Sequence, residues 1–355
     1  MPAAEAGAPV TAIEERPVRV RRVSLRVTPR ALAVGIVLAV ALLVLSAVSM
    51  TTGDYPLSVL DVVKTLFGFG DAGTEFIVTT LRLPRLLLAI LVGAALAVSG
   101  GVLQSLSGNP LGSPDVIGFT EGSATGALLV IVLAHGGSGE VALGALVGGM
   151  LTALAVGLLA YRRGLQGFRM ILVGIGVAAM LTAANSYLIT RASLQDAYAA
   201  QAWLVGGLNG RGWDEIWPVA IAVVVLLPLA FGYGRRLALL EMGDDSAKGL
   251  GVPVERSRAM LLAVAVTLCA IATAATGPIA FVALAAPQLA KRLARSAKPA
   301  LVSSALMGAL LLVASDLVTR LVFGEEGLPV GIATGAIGGL YLMWLLSSQW
   351  RRNRG

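Results

Sequence analysis

Long apolar runs separated by short polar segments dominate this chain. A bilayer-spanning helix needs about 20 apolar residues, and runs close to that length recur from residue 31 onwards. The pattern predicts an all-α polytopic membrane protein with ten transmembrane helices in residues 31–350. The predicted spans are Ala31–Met50, Leu86–Leu106, Val116–Ala134, Val141–Tyr161, Met170–Thr190, Ile216–Tyr233, Ala259–Thr276, Pro278–Ala290, Pro299–Val322 and Leu328–Leu346.

The segments outside the spans are shorter and more polar. Residues 1–30 lack apolar periodicity and end in a basic run, so we expect a mostly disordered cytoplasmic leader. Residues 351–355 form a basic cytoplasmic tail. Leu57–Phe67 and Gln195–Leu204 have the pattern of short helices, and we place them at the outer surface. Gly277-Pro278 and Pro287 are expected to interrupt the eighth span.

Basic residues set the orientation of the chain. With the N-terminus inside and ten alternating spans, the inner segments hold all but six of the 27 lysines and arginines. Cytoplasmic segments of membrane proteins carry such an excess of Lys and Arg, so both termini are predicted to be cytoplasmic. The six on the outer side are Lys64, Arg82, Arg85, Arg191, Arg211 and Arg320.

Glycines recur at a spacing of four within two spans. Gly331, Gly335 and Gly339 form one stripe, and Gly144 and Gly148 form another. Small residues at this spacing let helices approach closely in lipid. Packing within the bundle and packing against another subunit are both open explanations.

The most polar internal segment is Arg235–Arg258, between the sixth and seventh spans, on the cytoplasmic side by charge. It contains a short helix signal. Asp244 and Asp245 favour the positive end of such a helix, and Gly249 and Gly251 can end it. A rigid helix at the inner surface suggests a docking element for an energy-supplying partner.

Composition excludes several classes of protein. The chain is 57% hydrophobic and only 13% charged, too few charges to cover a soluble surface. Cys269 is the only cysteine and His135 the only histidine, so one chain cannot build a disulfide, a zinc site or a haem-type ligand pair. We expect Cys269 to be buried and His135 to be a solvated loop residue. The basic residues flank spans, which points to anionic lipid and not to nucleic acid.

Ionisable residues inside the spans are nearly absent, although ion-coupled transporters usually need them. Glu121 is the one clear acid within a predicted span. Gln104 and Asn185 are the other notable polar residues. Asp316 and Arg320 stand four apart and can pair. No GxxxxGK[ST] motif occurs, so no phosphate-binding loop is expected, and no nucleophile–base pair suggests an enzyme.

Several motifs carry a family resemblance. They are Leu81–Phe119 (LRLPRLLLAILVGAALAVSGGVLQSLSGNPLGSPDVIGF), Gly174–Gly176, LLEMGDDSAKGLGVPVERSR, GPIAFVALAAPQLAKR and LPVGIATGAIGG. Together they resemble the FecCD family, the permease subunits of ABC importers for iron–siderophores, haem and vitamin B12. The resemblance covers almost everything after the leader. The segments SGNPLGSPDVIGF, LEMGDDSAKGLGVPVERSR and AIGGLYL look most like the ferric enterobactin (catecholate siderophore) permeases.

The resemblance implies a type II ABC importer permease fold in the cytoplasmic (inner) membrane. It implies two permease subunits that face each other around a pathway, with a heterodimer of this chain and a second homologous permease favoured. It also implies two ATPase subunits, an extracytoplasmic siderophore-binding protein and a ferric siderophore as substrate. ATP and Mg²⁺ would lie on the ATPase subunits, so we expect no cofactor in this chain.

Site residues follow from the resemblance by position. Arg82 and Arg85 of the RLPR motif and Arg320 match outer arginines that pair with acidic residues of the binding protein; interfacial anchoring is the alternative. The coupling helix of the family, which fits a cleft on the ATPase, matches one cytoplasmic stretch; a solvated loop is its alternative. That stretch consists of Gly243, Asp244, Asp245, Ser246, Ala247, Lys248, Gly249 and Leu250.

The chain departs from the family pattern at two candidate pathway positions. The family has Pro-His in the eighth segment where this chain has Pro287-Gln288, so either the His is dispensable or an amide hydrogen bond replaces its interaction. Glu121 stands where small polar residues are common. Facing the pathway, it would disfavour a bare anionic ferric catecholate and suit a neutral or cationic siderophore; otherwise it is a water-accessible acid near the inner mouth. With Gln104 and Asn185 these residues form the candidate pathway, and no metal site is expected.

Other functions stay open at this point. A permease for another metal chelate, such as haem or vitamin B12, fits the same family. An ion-coupled secondary transporter would have to transport by this chain alone, and the scarcity of buried acids argues against it. A scaffold or receptor without transport would leave the Gly-rich, Pro-broken inner segments unexplained.

Overall fold

A computed structural model describes residues 16–20, 23–27, 29–161, 167–296, 298–324 and 328–352 of the chain. This part is almost entirely helical, with one two-stranded sheet. Two π-helical turns, Phe76–Arg82 and Val130–Ala134, extend neighbouring helices. The elements are β1 (Arg16–Val20), β2 (Val23–Val27), α1 (Pro29–Thr51), α2 (Val59–Leu66), α3 (Ala72–Glu75), α4 (Leu83–Ser107), α5 (Phe119–Leu129), α6 (Ser138–Ala160), α7 (Gly167–Arg191), α8 (Leu194–Val205), α9 (Trp213–Gly232), α10 (Gly234–Leu240), α11 (Asp244–Gly249), α12 (Val254–Thr276), α13 (Val282–Ala294), α14 (Leu301–Phe323) and α15 (Val330–Arg352).

Seven helices in the described part are long and apolar enough to cross a membrane. They are α1, the continuous helix Ala72–Ser107 that includes α3 and α4, and then α6, α7, α9, α12 and α14. Each coincides with a predicted span. The three other predicted spans correspond to shorter helices, namely Phe119–Ala134, α13 and the apolar stretch Val330–Tyr341 of α15.

The helix α4 lies at the centre of the bundle and packs against α9, α12, α13 and α14. Its glycines allow this, because a Cβ on Gly93 would overlap the backbone of Gly308 in α14. The predicted stripe of Gly144 and Gly148 on α6 packs against the backbone of α5 in the same way. For these two residues, packing within the chain is the correct explanation.

The glycines of the predicted stripe on α15 differ in how closely they pack against the rest of the chain. Gly331 packs tightly against the carbonyl oxygen of Val205 in α8. No atom lies within 4 Å of the position of a Cβ on Gly335 or Gly339. Within the described residues, only the Gly331 end of this stripe is therefore used for packing inside the chain.

The eighth span is broken once, not twice. The predicted break at Gly277-Pro278 is confirmed: α12 ends at Thr276, and non-helical backbone continues to Phe281, where the backbone adopts a left-handed conformation (φ +68°). A left-handed conformation is strained for a bulky residue such as Phe. The surrounding structure therefore holds Phe281 in a strained conformation at the junction between the two helices.

The second expected break, at Pro287, is wrong. Pro287 is buried inside α13, which continues to Ala294. Proline removes the backbone donor that would pair with the carbonyl four residues earlier, which is that of Ala283. That carbonyl faces Gly100 of α4 so closely that a Cβ on Gly100 would overlap it. Tight packing against α4 holds the helix together despite the missing hydrogen bond.

The described part of the leader, residues 16–20 and 23–27, differs from the expectation of an irregular segment; the rest of residues 1–28 lies outside the described residues. Arg16–Val20 and Val23–Val27 pair as antiparallel strands, with Arg16 opposite Val27. Apolar residues alternate with other residues in both strands, at Val18, Val20, Val23, Leu25 and Val27. This period of two is typical of a strand and differs from the helical period of 3.6.

Both predicted surface helices are present, as α2 and α8. The first begins with a capping box: the Ser58 hydroxyl accepts the Asp61 N–H at 3.1 Å, and the Asp61 carboxylate accepts the Ser58 N–H at 3.3 Å. These contacts satisfy two donors at the start of the helix. They explain why so short a segment is helical outside the bundle.

Candidate functional site

The predicted cytoplasmic helix is present as α11. Gly243 precedes it with a φ of +98°, a conformation that favours glycine, and reverses the chain between α10 and α11. Asp244 and Asp245 lie in its first turn and Lys248 in its last, as the charge pattern predicts. A short turn between two short helices therefore fixes the position of α11.

One side of α11 is anchored to the bundle. Ala247 is fully buried. The guanidinium of Arg258, near the start of α12, donates to both oxygens of Asp244 at 2.7 and 3.2 Å. Such a two-point arginine–carboxylate pair fixes orientation as well as distance. The helix is thus held against α12 and is not a loose loop.

The other side of α11 is exposed. Asp245, Ser246, Lys248 and Gly249 are all accessible to solvent. Met242 and Leu250 flank the helix and are more than 60% exposed, at 64% and 61%. Two exposed apolar side chains beside exposed polar ones, on a rigid support, make a surface that suits a protein partner.

The first of the three predicted docking arginines points into the chain. Arg82 is buried, and its Nη1 and Nη2 donate to the carbonyl oxygens of Met50 at 2.9 Å and Tyr55 at 2.7 Å. These hydrogen bonds tie the end of α1 and the turn after it to the start of α4. The guanidinium supports the fold at this end of the bundle.

The other two arginines share one buried carboxylate. Arg85 Nε and Nη2 donate to Asp316 Oδ1 at 2.9 and 2.7 Å, and Arg320 Nε lies 3.1 Å from Asp316 Oδ2. Arg320 also donates to the Ser49 hydroxyl in α1. The predicted pairing of Asp316 with Arg320 is confirmed.

This placement differs from the expectation that three outward arginines face a binding protein. A buried carboxylate is stable only with a compensating positive charge nearby. The side chains of Arg85 and Arg320 therefore point inward and pair with Asp316. Of the three side chains, Arg85 keeps the most exposure, 15% against 5% for Arg320. The docking role itself stays a prediction.

Two of the candidate pathway residues form a pair between α4 and α13. Gln288 Nε2 donates to Gln104 Oε1 at 2.7 Å, and Gln104 Nε2 donates to the Leu284 carbonyl oxygen at 3.0 Å. The residue that replaces the family histidine thus makes an amide hydrogen bond. This contact is compatible with the second explanation, and whether the histidine is dispensable for transport stays a prediction.

The other two candidates form a pair between α5 and α7. Asn185 is buried; it donates to Glu121 Oε2 at 3.2 Å and accepts a hydrogen bond from Thr125 Oγ1 at 2.7 Å. A neighbouring acid, Asp115, accepts from Thr120 Oγ1 at 2.7 Å. No local pattern singled out Asp115, because it lies in the loop before the span. These groups can hydrogen-bond a polar solute, but they are not arranged as a nucleophile and a base.

Metal ligands are not gathered anywhere in the described part of the chain: no group of three or more His, Cys, Asp or Glu side chains there could hold an ion. Cys269 is free and buried, as expected. The sites with functional character are therefore the exposed face of α11 and the polar pairs inside the bundle.

Comparison with known proteins gives a consistent picture. The FecCD transport family matches residues 30–348. The ferric enterobactin transport system permease protein FepG of Escherichia coli (strain K12) is 47% identical over 303 residues, which are 85% of this chain and 92% of the relative. The iron(3+)-hydroxamate import system permease protein FhuG of Bacillus subtilis (strain 168) is 34% identical over 88% of this chain and 96% of its own length.

A solved structure resembles the whole fold. The chain superposes on a metal-chelate type ABC transporter in an inward-facing conformation with a TM-score of 0.81 and 27% identity. The match covers 89% of this chain and 99% of the other.

Proposed function

The chain belongs to the FecCD transport family, and from this premise we propose that it is the permease subunit of an ATP-driven importer of ferric siderophores. It is a multi-pass protein of the cytoplasmic (inner) membrane. The proposed topology has ten spans and both termini in the cytoplasm. The excess of Lys and Arg in the inner segments supports it.

The proposal that a separate ATPase supplies the energy depends on one observation, the rigid and exposed helix α11. Its buried side is fixed by Ala247 and by the pair of Asp244 with Arg258, and its free side exposes Met242 and Leu250. An ATPase subunit would bind this free side. ATP binding would then move α11, and with it the helices that surround the pathway.

The assembly that we propose contains two permeases, two ATPases and an extracytoplasmic binding protein. A second homologous permease would complete the pathway, and Gly335 and Gly339 of α15, which have open space above them, offer a surface for close approach. For the binding protein, Arg85 is the best of the three arginines. It would exchange Asp316 for a carboxylate of the partner.

The proposed substrate is a ferric siderophore of the catecholate, enterobactin-like type. The identity to a ferric enterobactin permease supports this choice over haem and vitamin B12. Glu121 bears on it as well, because a carboxylate that faces the pathway repels an anionic chelate. Its hydrogen bond from Asn185 gives it a partner inside the bundle and spreads its charge.

Uptake in cells tests this proposal. A strain that lacks the chain is supplied with radioiron as ferric enterobactin, a ferric hydroxamate, haem, or with labelled vitamin B12, before and after the gene is restored. We expect restored uptake of ferric enterobactin only. Restored uptake of haem or vitamin B12 in its place would contradict the substrate, and no restored uptake of any probe would contradict the importer.

A further inference from the structure

A second charged joint connects the cytoplasmic segment to the bundle. Glu241 ends α10, two residues before the turn at Gly243. Its Oε1 accepts a hydrogen bond from the Ser105 hydroxyl in the last turn of α4 at 2.7 Å. The same oxygen lies 3.5 Å from Lys291 Nζ in the last turn of α13. One carboxylate at the end of α10 thus contacts two helices, α4 and α13, that are far from it in the sequence.

The cytoplasmic segment has other attachments to the bundle besides this joint. Leu237 and Leu240 of α10 are buried, and α11 has its own attachment through Ala247 and the two-point contact of Asp244 with Arg258. Glu241 and Lys291 are both partly exposed, with side-chain exposures of 20% and 39%. Ion pairs of this exposure stabilise proteins little. A role in stability alone therefore leaves the three-way contact unexplained.

The two helices that Glu241 contacts, α4 and α13, are also linked directly to each other. Directly above Lys291 on α13, Gln288 donates to Gln104 of α4, and Gln104 donates back to Leu284. Higher still, the Ala283 carbonyl lies against Gly100. The C-terminal half of α4 and α13 are thus joined by the backbone contact at Gly100, by the hydrogen bonds of Gln104 and, at their ends, by Glu241.

The upper end of this unit is a natural pivot. With 13 residues, α13 is about 20 Å long, well short of a full span. It begins directly after the non-helical stretch that ends at Phe281, whose left-handed backbone is the strained position described above. Strained backbone of this kind clusters at functional sites, switch regions among them. A displacement at Lys291 would therefore tilt α13 about its first residue and, through the contacts just described, carry the C-terminal half of α4 with it.

We propose that Glu241 is a positioning residue that transmits the movement of α11 to the unit of α4 and α13. This inference rests on the proposed function. When the ATPase moves α11, the joint at Glu241 carries the movement to Lys291 and Ser105. The joint of Asp244 with Arg258 carries it separately to α12. Without Glu241, ATP hydrolysis continues while the pathway opens less often.

Charge reversal with rescue tests the proposal. The complex is purified by a tag on this chain and reconstituted in liposomes with ferric enterobactin as the probe, and radioiron uptake and ATP hydrolysis are measured on the same sample. We expect Glu241→Lys to lower uptake per ATP hydrolysed by about tenfold, a typical size for coupling between sites. The double variant Glu241→Lys with Lys291→Glu restores the opposite charges and should recover most of the ratio.

Arg256→Glu is the control, because it also reverses a charge at a cytoplasmic position, and it should leave the ratio unchanged since Arg256 is exposed. A purely structural role predicts that uptake, hydrolysis and the yield of assembled complex fall together in Glu241→Lys, with the ratio unchanged; that result would overturn the inference. So would failure of the double variant to recover. If the unaltered complex shows no ATP-dependent uptake, the proposed function falls and the inference with it.

Discussion

The contact of α4 with α13 at Gly100 gives the sharpest prediction about the bundle. A Cβ built on Gly100 would overlap the Ala283 carbonyl oxygen and lie 2.6 Å from its carbonyl carbon. Non-bonded carbon atoms approach to about 3.5 Å, so Gly100→Ala must push the two backbones apart by at least about 1 Å. The obstacle is backbone, which cannot rotate away as a side chain does.

The separation also acts on the hydrogen bonds nearby. Gln104 donates to the Leu284 carbonyl at 3.0 Å and accepts from Gln288 at 2.7 Å. A further 1 Å, roughly, takes both out of hydrogen-bonding range. Overpacking costs about 1–3 kcal/mol, and a hydrogen bond between membrane helices contributes about 0.6 kcal/mol. We therefore expect Gly100→Ala to lower the free energy of unfolding by about 2–4 kcal/mol.

The neighbouring residue supplies a matched control. A Cβ on Gly101 would lie 3.3 Å from Leu301 Cδ2, the end of a side chain that can move. The assay is reversible unfolding of each purified variant in detergent micelles by titration with SDS. Loss of stability in Gly100→Ala but not in Gly101→Ala supports the contact. Equal stability of the two variants would refute the reasoning.

Three further predictions concern charges and amides. Asp316→Asn leaves two arginines without their buried carboxylate and should cost about 3–5 kcal/mol of unfolding free energy in the same titration; stability equal to the unaltered chain would contradict the pairing. Gln288→Leu leaves the buried amide oxygen of its partner on α4 without a donor, at a cost of about 1–3 kcal/mol, whereas Gln288→His keeps a donor and should lose less; equal losses would show that the amide bond is unimportant. The double variant Asp245→Lys with Leu250→Asp should reduce co-purification of the ATPase with this chain by about tenfold or more, as expected for anchor residues of an interface. The exposed Asp54→Lys serves as its control, and unchanged co-purification would remove α11 from the ATPase interface.

The sequence alone predicted the helices well, because length and apolarity decide which segments cross a bilayer. The predicted span Ala31–Met50 corresponds to the helix Pro29–Thr51, and the predicted span Ala259–Thr276 corresponds to the helix Val254–Thr276. The short helix α11 was also found, since its acidic first turn is a local signal. Apolar length and helix-end signals depend on residues close together in the sequence, so the sequence alone is enough to predict them.

Contacts across the bundle were beyond such rules. The sequence placed Arg85 at a helix end, but its partner Asp316 lies 231 residues away, so its inward direction could not be read from the pattern. Pro287 breaks a helix by local rules, yet the packing of Ala283 on Gly100 keeps α13 intact. The sequence pattern singles out each pathway candidate separately. Their hydrogen-bonded pairing depends on contacts between helices that are far apart in the sequence.

The source of energy is the central claim, and uptake into liposomes tests it most directly. The purified complex is reconstituted in liposomes. Radioiron-labelled ferric enterobactin is added on the side of the membrane opposite α11, and ATP is supplied on the side of α11. We predict uptake that requires ATP and the partner ATPase and that persists when proton and sodium gradients are collapsed. Uptake by this chain alone, driven by such a gradient and indifferent to ATP, would contradict the account.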